Sequence, residues 1–327
     1  MDDVSVSAPA RLHLGFLDPG GRSGRRFGGI GLALEAPATR LVLSRATEGS
    51  VEGPESPRAR AYLQLMEAAL DLGSRHRMAI EATIPAHAGL GSGTQLALAV
   101  ATALRTLHGL PADPDGDAAR LGRGARSGVG SGFFSTGGLV VDGGKADSSL
   151  DSRDRPPPVV ARLAFPPEWR VILVLHHGTA GLHGEAELAA FAALPPFPQE
   201  ASAEICRLVL MQALPGIAER DLAAFGGAIT TIQSMVGGHF APAQGGVFTS
   251  PAVAQAMRHL AERGATGIGQ SSWGPTGFAF AESVEAAEAM VAGVSEAIGD
   301  PALEIRIVAG RNSGAVVERL TRLADAH

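Results

Sequence analysis

Residues 85–104, PAHAGLGSGTQLALAVATAL, constrain this chain more than any other stretch. They open as a turn-rich loop containing Gly89, Gly91, Ser92 and Gly93. They continue as an apolar run in which Leu96, Val100, Ala103, Leu104 and Leu107 recur at helical spacing. Glycine reaches backbone conformations that other residues resist, and it lets main-chain N–H groups approach a ligand closely. The first turn of a helix carries unpaired N–H donors and the positive end of the helix dipole. A glycine-rich loop feeding such a turn is a candidate anion cradle, for phosphate above all. Ser92 and Thr94 either cap this helix or reach the ligand. Taken alone, the pattern also describes an ordinary core helix behind a loop.

Composition narrows what an anion would meet here. Of the 27 basic residues in this 327-residue chain, Lys145 alone is a lysine. No Gly-Lys-Ser/Thr phosphate loop exists, and a Schiff-base lysine would have to be Lys145. Anion binding therefore falls to arginines, backbone N–H groups or a metal ion. A net charge of −6 argues against a general nucleic-acid or anionic-membrane binder. The length suits one large or two medium domains. No apolar run looks long enough for a membrane span, and the acidic start MDDVSVSAPARLHL lacks a signal-peptide profile, so a cytoplasmic location is expected. Cys206 is the single cysteine, which rules out an internal disulfide. Its apolar helical surroundings predict a buried filler.

In chain order, residues 4–14 alternate as a half-buried strand does. Residues 11–31 then hold four arginines and one acid, Arg11, Arg22, Arg25, Arg26 and Asp18, among many glycines. This reads either as a solvated loop or as a polyanion site, and guanidinium groups favour the second because they bind phosphate and carboxylate bidentately. Residues 38–45 and 77–84 read as strands, 58–72 and 113–126 as helices. Residues 126–144, RSGVGSGFFSTGGLVVDGG, read as a second Gly/Ser-rich turn entering an apolar strand. Residues 147–158 are polar and end in three prolines, marking a boundary, so domains of 1–155 and 156–327 are expected. Residues 171–175 read as a buried strand. His176, His177, His183, Glu185 and Glu187 follow without any familiar metal-ligand spacing, so a substrate-facing loop is the better reading there. Two helices separated by Pro215-Gly216 span 200–236, and another covers 251–263. A third Gly/Ser turn at 265–280, a helix over 285–298 and a strand over 303–308 complete an α/β second half.

Together these stretches resemble the GHMP kinase superfamily, and the resemblance covers nearly the whole chain. SAPARLHL is similar to its first motif, PAHAGLGSGTQLA to its glycine-rich phosphate motif, and ATGIGQSSWGPTGFAF stands in the place of its third. The resemblance implies an α/β fold of two domains: an N-terminal domain on a left-handed β-α-β unit and a C-terminal ferredoxin-like domain, with phosphorylated ligands in the cleft. Kinases of the superfamily usually carry Gly-Leu-Gly-Ser-Ser, whose second serine lies near magnesium; here Gly93 stands there. Their catalytic aspartate follows a Ser-Gly-x pattern, and here Ser127-Gly128-Val129 is followed by Gly130. Arg11 stands in place of the first-motif lysine. Phosphoryl transfer needs positioned metal and charge stabilisation, usually with a carboxylate near the nucleophile, so these departures argue against a kinase.

Within the superfamily, RLHLGFLD, GRRFGGIG, GLGSGTQLALA, RSGVGSGFF and GQSSWGP resemble the β-ribofuranosylaminobenzene 5′-phosphate synthase family. That resemblance implies condensation of phosphoribosyl pyrophosphate with 4-aminobenzoate, releasing carbon dioxide and pyrophosphate, in tetrahydromethanopterin biosynthesis. The acceptor is open between 4-aminobenzoate and 4-hydroxybenzoate. It implies Mg²⁺ as cofactor, small molecules rather than nucleic acid or membrane as partners, and a homodimer. Arg11 or Arg26 would hold a substrate anion, His13 would position or shuttle a proton, and Asp18 would bind magnesium as well as act in catalysis. The expected substrate contacts are Arg25, Arg26, Gly89, Leu90, Gly91, Ser92, Gly93, Thr94 and Gln95 on the N-terminal side. Arg126, Ser127, Gln270, Ser271, Ser272 and Trp273 complete the set. The rival readings are a small-molecule kinase using ATP through other residues, and a non-catalytic binding member of the fold.

Overall fold

A computed structural model describes residues 2–21, 24–124, 127–146, 155–181 and 184–321. The first half runs β1 (Asp2–Asp18), β2 (Arg25–Ala46), β3 (Ser50–Glu52), α1 (Ser56–Ala69), β4 (Arg75–Ala82), α2 (Ser92–Leu107), α3 (Pro114–Arg120), α4 (Val129–Thr136), β5 (Leu139–Asp142) and β6 (Lys145–Ala146). The second runs β7 (Val159–Leu163), β8 (Arg170–His176), α5 (Gly184–Ala193), α6 (Gln199–Leu208), a π-helical turn (Val209–Ala213), α7 (Leu214–Glu219) and α8 (Leu222–Gln244). It ends with α9 (Pro251–Glu262), β9 (Thr266–Gln270), β10 (Gly277–Ala281), α10 (Val284–Val291), α11 (Val294–Ile298), β11 (Leu303–Ala309) and β12 (Val316–Thr321).

β1 fulfils the alternation seen in the sequence: Val4, Val6, Ala8, Ala10, Leu12 and Leu14 are all fully buried. It pairs antiparallel with β2 on one side and with β12 on the other. The eight-stranded sheet runs β12-β1-β2-β4-β3, with β5 and β6 also on β2, and β7 on β5. β3 and β4 pair in parallel across α1, forming a β-α-β unit. The second sheet has the order β11-β8-β10-β9 and is antiparallel throughout. The two sheets share a core: Leu12, Leu14, Ile30 and Leu32 from the first meet Val171, Leu173, Phe278 and Phe280 from the second. α2 lies over the first sheet with Leu96, Val100 and Leu104 inward, each burial stabilising by about 1.5–3 kcal/mol. Ile172 and Val174, on the opposite face of β8, pack with Val253, Met257 and Leu260 of α9.

Several expectations are corrected. β7 and β12 belong to the first sheet, so residue 155 does not separate the sheets: β7 pairs with β5 and the final strand returns to β1. β2 begins at Arg25 rather than near residue 38, so Arg25 and Arg26 end a strand rather than sit in a loop. VGSGFFST, read as a turn, is helix α4. Pro215 is no helix break; it enters the first turn of α7, and the chain breaks after Glu219. Cys206 is exposed, because the buried stripe of α6 runs through Ser202, Ile205 and Leu208 and leaves position 206 on the outer side. The helical stretch Gln199–Glu219, with mean hydropathy 1.2, is long and apolar enough for a span by length and composition. Its Ile205, Leu208, Val209, Ala213 and Ile217 sit in the main core, as in a buried helix of a globular protein.

Candidate active site

A cavity of ≈ 440 Å³ opens where loop 87–91 faces the turn after β9. The loop is held by backbone geometry that demands glycine. Gly89 has φ +78°, and a Cβ there would lie 2.2 Å from the carbonyl oxygen of Ser271. The two halves of the chain thus touch through main chain. Ser271 secures the contact: its hydroxyl accepts from the His13 N–H at 2.9 Å and donates to the Gly89 carbonyl at 2.9 Å. Arg11 N–H donates to the Leu90 carbonyl at 2.9 Å, fixing β1 to the same loop.

Gly91, with φ +76°, is the N-cap of α2 and offers no side-chain acceptor. Ser92 and Thr94 therefore do not cap the helix at its N-cap position; both line the cavity together with Gly93. The walls add three guanidinium groups, Arg11 of β1, Arg58 in the first turn of α1 and Arg123 after α3. Among the described residues lining the cavity there is no aspartate or glutamate. In a chain of net charge −6, this concentrates positive charge at one place.

His13 is 3% exposed, lines the cavity, and its Nε2 has no hydrogen-bond partner among the described residues. Burial, reinforced by the Arg11 charge, lowers its pKa from 6.5 to about 3, so the imidazole is neutral at ordinary pH. Ser127, also in the wall, donates its hydroxyl to Asp142 Oδ2 at 2.9 Å. Asp142 is fully buried and accepts in addition from Gly128 N–H and Gly144 N–H, each at 2.9 Å. Desolvation pushes its carboxyl above the ordinary range, and those hydrogen bonds oppose the shift. His13, Ser127 and Asp142 converge beside Gly29: a Cβ there would lie 3.3 Å from His13 Nε2, 3.3 Å from Asp142 Oδ2 and 3.4 Å from Ser127 Oγ.

A smaller cavity adjoins the first through His13, Phe16, Ser272 and Trp273, and reaches Gln270 and Phe240. Its lining mixes aromatic rings with glutamines: the rings of Phe240 and Trp273 have centroids 4.6 Å apart, and those of Phe16 and Phe240 6.2 Å.

Of the residues expected from sequence, the cavity brings together Arg11, His13, Gly89, Gly91, Ser92, Gly93, Thr94, Ser127, Ser272 and Trp273. Leu90 and Gln95 are buried behind it, where Gln95 Nε2 donates to the Gly130 carbonyl at 2.9 Å. Gln270 lines only the smaller cavity, and Ser271 supports both through its hydrogen bonds. Arg25 and Arg26 do not line either cavity. Arg25 is exposed and donates to the carbonyls of Gly143 at 2.5 Å and Gly144 at 2.6 Å. Asp18 is likewise outside; its Oδ1 accepts from Gly20 N–H, Gly21 N–H and the Ser202 hydroxyl, tying the end of β1 to α6. Arg126, Arg22 and His183 lie outside the described residues. Gly181 and Gly184 line the cavity, so the segment after β8 does face it. His176 and His177 pair instead with Asp300 and Glu304. Sequence reasoning missed Arg58, Arg123 and Asp142. The one signal for Arg123 was its place between Gly122 and Gly124, just before the second glycine-rich block.

A comparison with known proteins decides the family. The profile of the GHMP kinases N terminal domain matches residues 58–138, and that of the GHMP kinases C terminal matches residues 213–299. The beta-ribofuranosylphenol 5′-phosphate synthase of Methanothermobacter thermautotrophicus is 32% identical, over 96% of this chain and 98% of its own length. The chain belongs to the beta-ribofuranosylphenol 5′-phosphate synthase family. It is an enzyme of synthase type on a GHMP fold. The Archaeoglobus fulgidus protein of the same name is 37% identical over 71% of this chain and 76% of its own length. Solved structures show the same fold at low identity. Homoserine kinase from Cytophaga hutchinsonii has a TM-score of 0.65 at 17% identity, covering 97% of this chain and 98% of the kinase. Mevalonate diphosphate decarboxylase from Staphylococcus aureus has a TM-score of 0.68 at 13% identity, with the same two coverages, 97% and 98%.

Proposed function

We propose that this synthase joins the anomeric carbon of phosphoribosyl pyrophosphate to a para-substituted benzoate, with loss of pyrophosphate and carbon dioxide. The observation that carries the reading is the ≈ 440 Å³ cavity with three arginines, a helix N-terminus and no carboxylate among its described lining residues. A donor bearing a phosphate and a diphosphate matches that charge, and an acceptor carboxylate adds a further anion.

In the proposed reaction the donor's C1–O bond breaks and its electron pair leaves with pyrophosphate. The ring carbon bearing the carboxylate attacks C1, and a C–C bond forms. The bond from that carbon to the carboxylate then breaks; its electron pair restores the aromatic ring and carbon dioxide leaves. No proton must be abstracted, in keeping with a cavity whose described lining holds neutral His13 and no carboxylate. Arginines and first-turn N–H groups stabilise the charge that develops on the departing diphosphate. Phe16 and Trp273, which line the ≈ 440 Å³ cavity, supply aromatic surface that suits the acceptor ring. A para-amino or a para-hydroxyl group activates the ring alike, and the relatives' names carry the phenol.

The described residues do not fit a resident Mg²⁺, because the described lining offers arginines and hydroxyls rather than carboxylates and Asp18 lines neither cavity. Magnesium enters this reading only on the donor's own phosphate oxygens, as part of the substrate. A cytoplasmic homodimer remains an expectation, its oligomeric state checked by sedimentation of the pure protein.

Carboxyl-labelled 4-aminobenzoate and 4-hydroxybenzoate, incubated in turn with the donor, test the reaction. Labelled carbon dioxide should appear only with donor present and in equal amount to pyrophosphate. Pyrophosphate release with the label retained on the ring would mean attack by amine, hydroxyl or water, and would sink the reading. ATP turnover coupled to phosphorylation of a small alcohol would favour the kinase alternative.

A further inference from the structure

Arg123 sits in a place that simple electrostatics disfavours. Its guanidinium lies over Gly93 in the first turn of α2: a Cβ on Gly93 would be 3.2 Å from Arg123 Nη1 and 3.3 Å from Cζ. That end of a 16-residue helix already carries partial positive charge and unpaired N–H donors. What holds the side chain there is an aromatic residue rather than a carboxylate. Its Nη2 donates to the hydroxyl of Tyr62, and Cζ stands 5.4 Å from the centroid of the Tyr62 ring. Nε is buried and has no hydrogen-bond partner among the described residues.

Arg11 and Arg58 line the same cavity; Arg58 also pairs with Glu55 at 2.9 Å, a carboxylate outside the lining. His13, nine-tenths buried, adds to the wall an Nε2 with no hydrogen-bond partner among the described residues. Guanidinium groups gathered round a helix N-terminus repel one another unless a multivalent anion lies among them. The absence of a side chain at position 93 is what admits the guanidinium, since any Cβ there would crowd it.

We propose that Arg123 holds the diphosphate of the donor, gripping it from one side while the N–H groups of Ser92, Gly93 and Thr94 grip it from the other. This rests on the reading of the donor given above and adds the residue that carries its most charged portion. A planar fork of N–H donors neutralises two phosphate oxygens at once, so binding needs no metal held by the protein. Arg123 is thereby a binding residue of the reaction, in a position where the sequence shows only an arginine between two glycines.

Inorganic pyrophosphate is the probe. Calorimetric titration of the full chain in buffer with EDTA should show binding. Arg123→Ala should weaken it at least tenfold, and Arg123→Lys should recover some of the loss, because lysine restores the charge without the fork. Gly93→Ala should weaken it too, by displacing the guanidinium. Ligand-free Arg123→Ala should still unfold in one cooperative transition, at a somewhat lower temperature because Tyr62 loses its partner, which shows the variant folded. Unchanged pyrophosphate affinity in Arg123→Ala overturns the proposal, and so does wild-type binding that appears only when Mg²⁺ replaces EDTA. The labelled-benzoate assay separates the two readings. Carbon dioxide release with pyrophosphate affinity indifferent to Arg123 defeats this inference alone. Arg123-dependent pyrophosphate binding without carbon dioxide release defeats the proposed reaction alone.

Discussion

At the corner between α2 and α3, Arg105 and Arg120 are paired with carboxylates; in the cavity, Arg11, Arg58 and Arg123 face a wall that has none among the described residues. Arg105 is 7% exposed and makes a bidentate pair with Asp117, Nε to Oδ2 at 2.6 Å and Nη2 to Oδ1 at 2.8 Å. Arg120 bridges Asp113 at 2.7 Å and Asp117 at 2.8 Å. These contacts raise both arginine pKa values, chiefly through the carboxylate hydrogen bonds. Charge there is balanced inside the molecule. In the cavity the described lining supplies no carboxylate, although Arg58 pairs with Glu55 outside it at 2.9 Å, and the anionic donor proposed above would complete the balance. The contrast teaches that an arginine's function follows from what surrounds its fork, not from how many arginines stand near it in sequence.

The comparison breaks most visibly at Asp117. Asp117→Ala leaves Arg105 buried without its main partner, and loss of one member of a buried pair costs about 3–5 kcal/mol. Urea unfolding should show that loss, while pyrophosphate affinity of the folded fraction should stay as in the wild type. Arg11→Ala should do the reverse. Losing a hydrogen bond to a charged group costs about 1.5–3 kcal/mol, so donor affinity should fall roughly 10- to 100-fold. The effect of Arg11→Ala on stability should be smaller than that of Asp117→Ala, because Arg11 is only partly buried whereas both members of the Arg105–Asp117 pair are buried. If Arg11→Ala unfolds the chain as Asp117→Ala does, the two clusters are not different in kind.

How much of this was readable beforehand depended on whether a signal was local. The alternation from Val4 to Leu14 and the stripe on α2 are set by near neighbours, and both stand as expected. So does the glycine-rich loop, because Gly89 and Gly91 need their positive φ wherever the loop goes. Arg25 and Arg26 misled for the complementary reason. Their density in sequence suggested convergence, yet Arg25 directs its donors to the Gly143 and Gly144 carbonyls at the sheet margin. Arg58 and Arg123 lie 65 positions apart, by subtraction of their numbers, and meet only because α1 and the turn after α3 flank the same helix end. Asp142 was hidden in an apolar strand, where a carboxylate's partners are N–H groups brought by other segments. β12 gave no core pattern, since all six of its residues are exposed.

A third test uses pH, and its sign follows from linkage. The folded-state pKa of His13 lies at about 3, below its ordinary 6.5, so the unfolded chain binds the extra proton first as pH falls. Stability is complete above pH 6.5 and declines through the window down to about 3, by about 1.4 kcal/mol per pH unit for this one group. His108, lowered by burial and by Arg45, adds to the slope in the same direction. His13→Gln should flatten the profile, and Arg11→Ala should shift its lower end upward by removing the second cause of the depression. A His13→Gln profile as steep as the wild type's would place the acid sensitivity elsewhere.

The smallest effect tests the boundary of the paired cluster. Arg120 has a side chain 42% exposed, unlike that of Arg105, which is 8% exposed, although both touch Asp117. An exposed pair gains little because water screens the attraction and holding long side chains costs entropy. Arg120→Ala should therefore cost about 0.2–1 kcal/mol, several times less than Asp117→Ala. Arg105 keeps its two bonds to Asp117 in that variant, so the buried charge remains neutralised. A double-mutant cycle between Arg120 and Asp113 measures the exposed half separately from the buried one. A loss from Arg120→Ala as large as that from Asp117→Ala would mean that the cluster acts as one network, in which burial of Arg105 does not decide the cost.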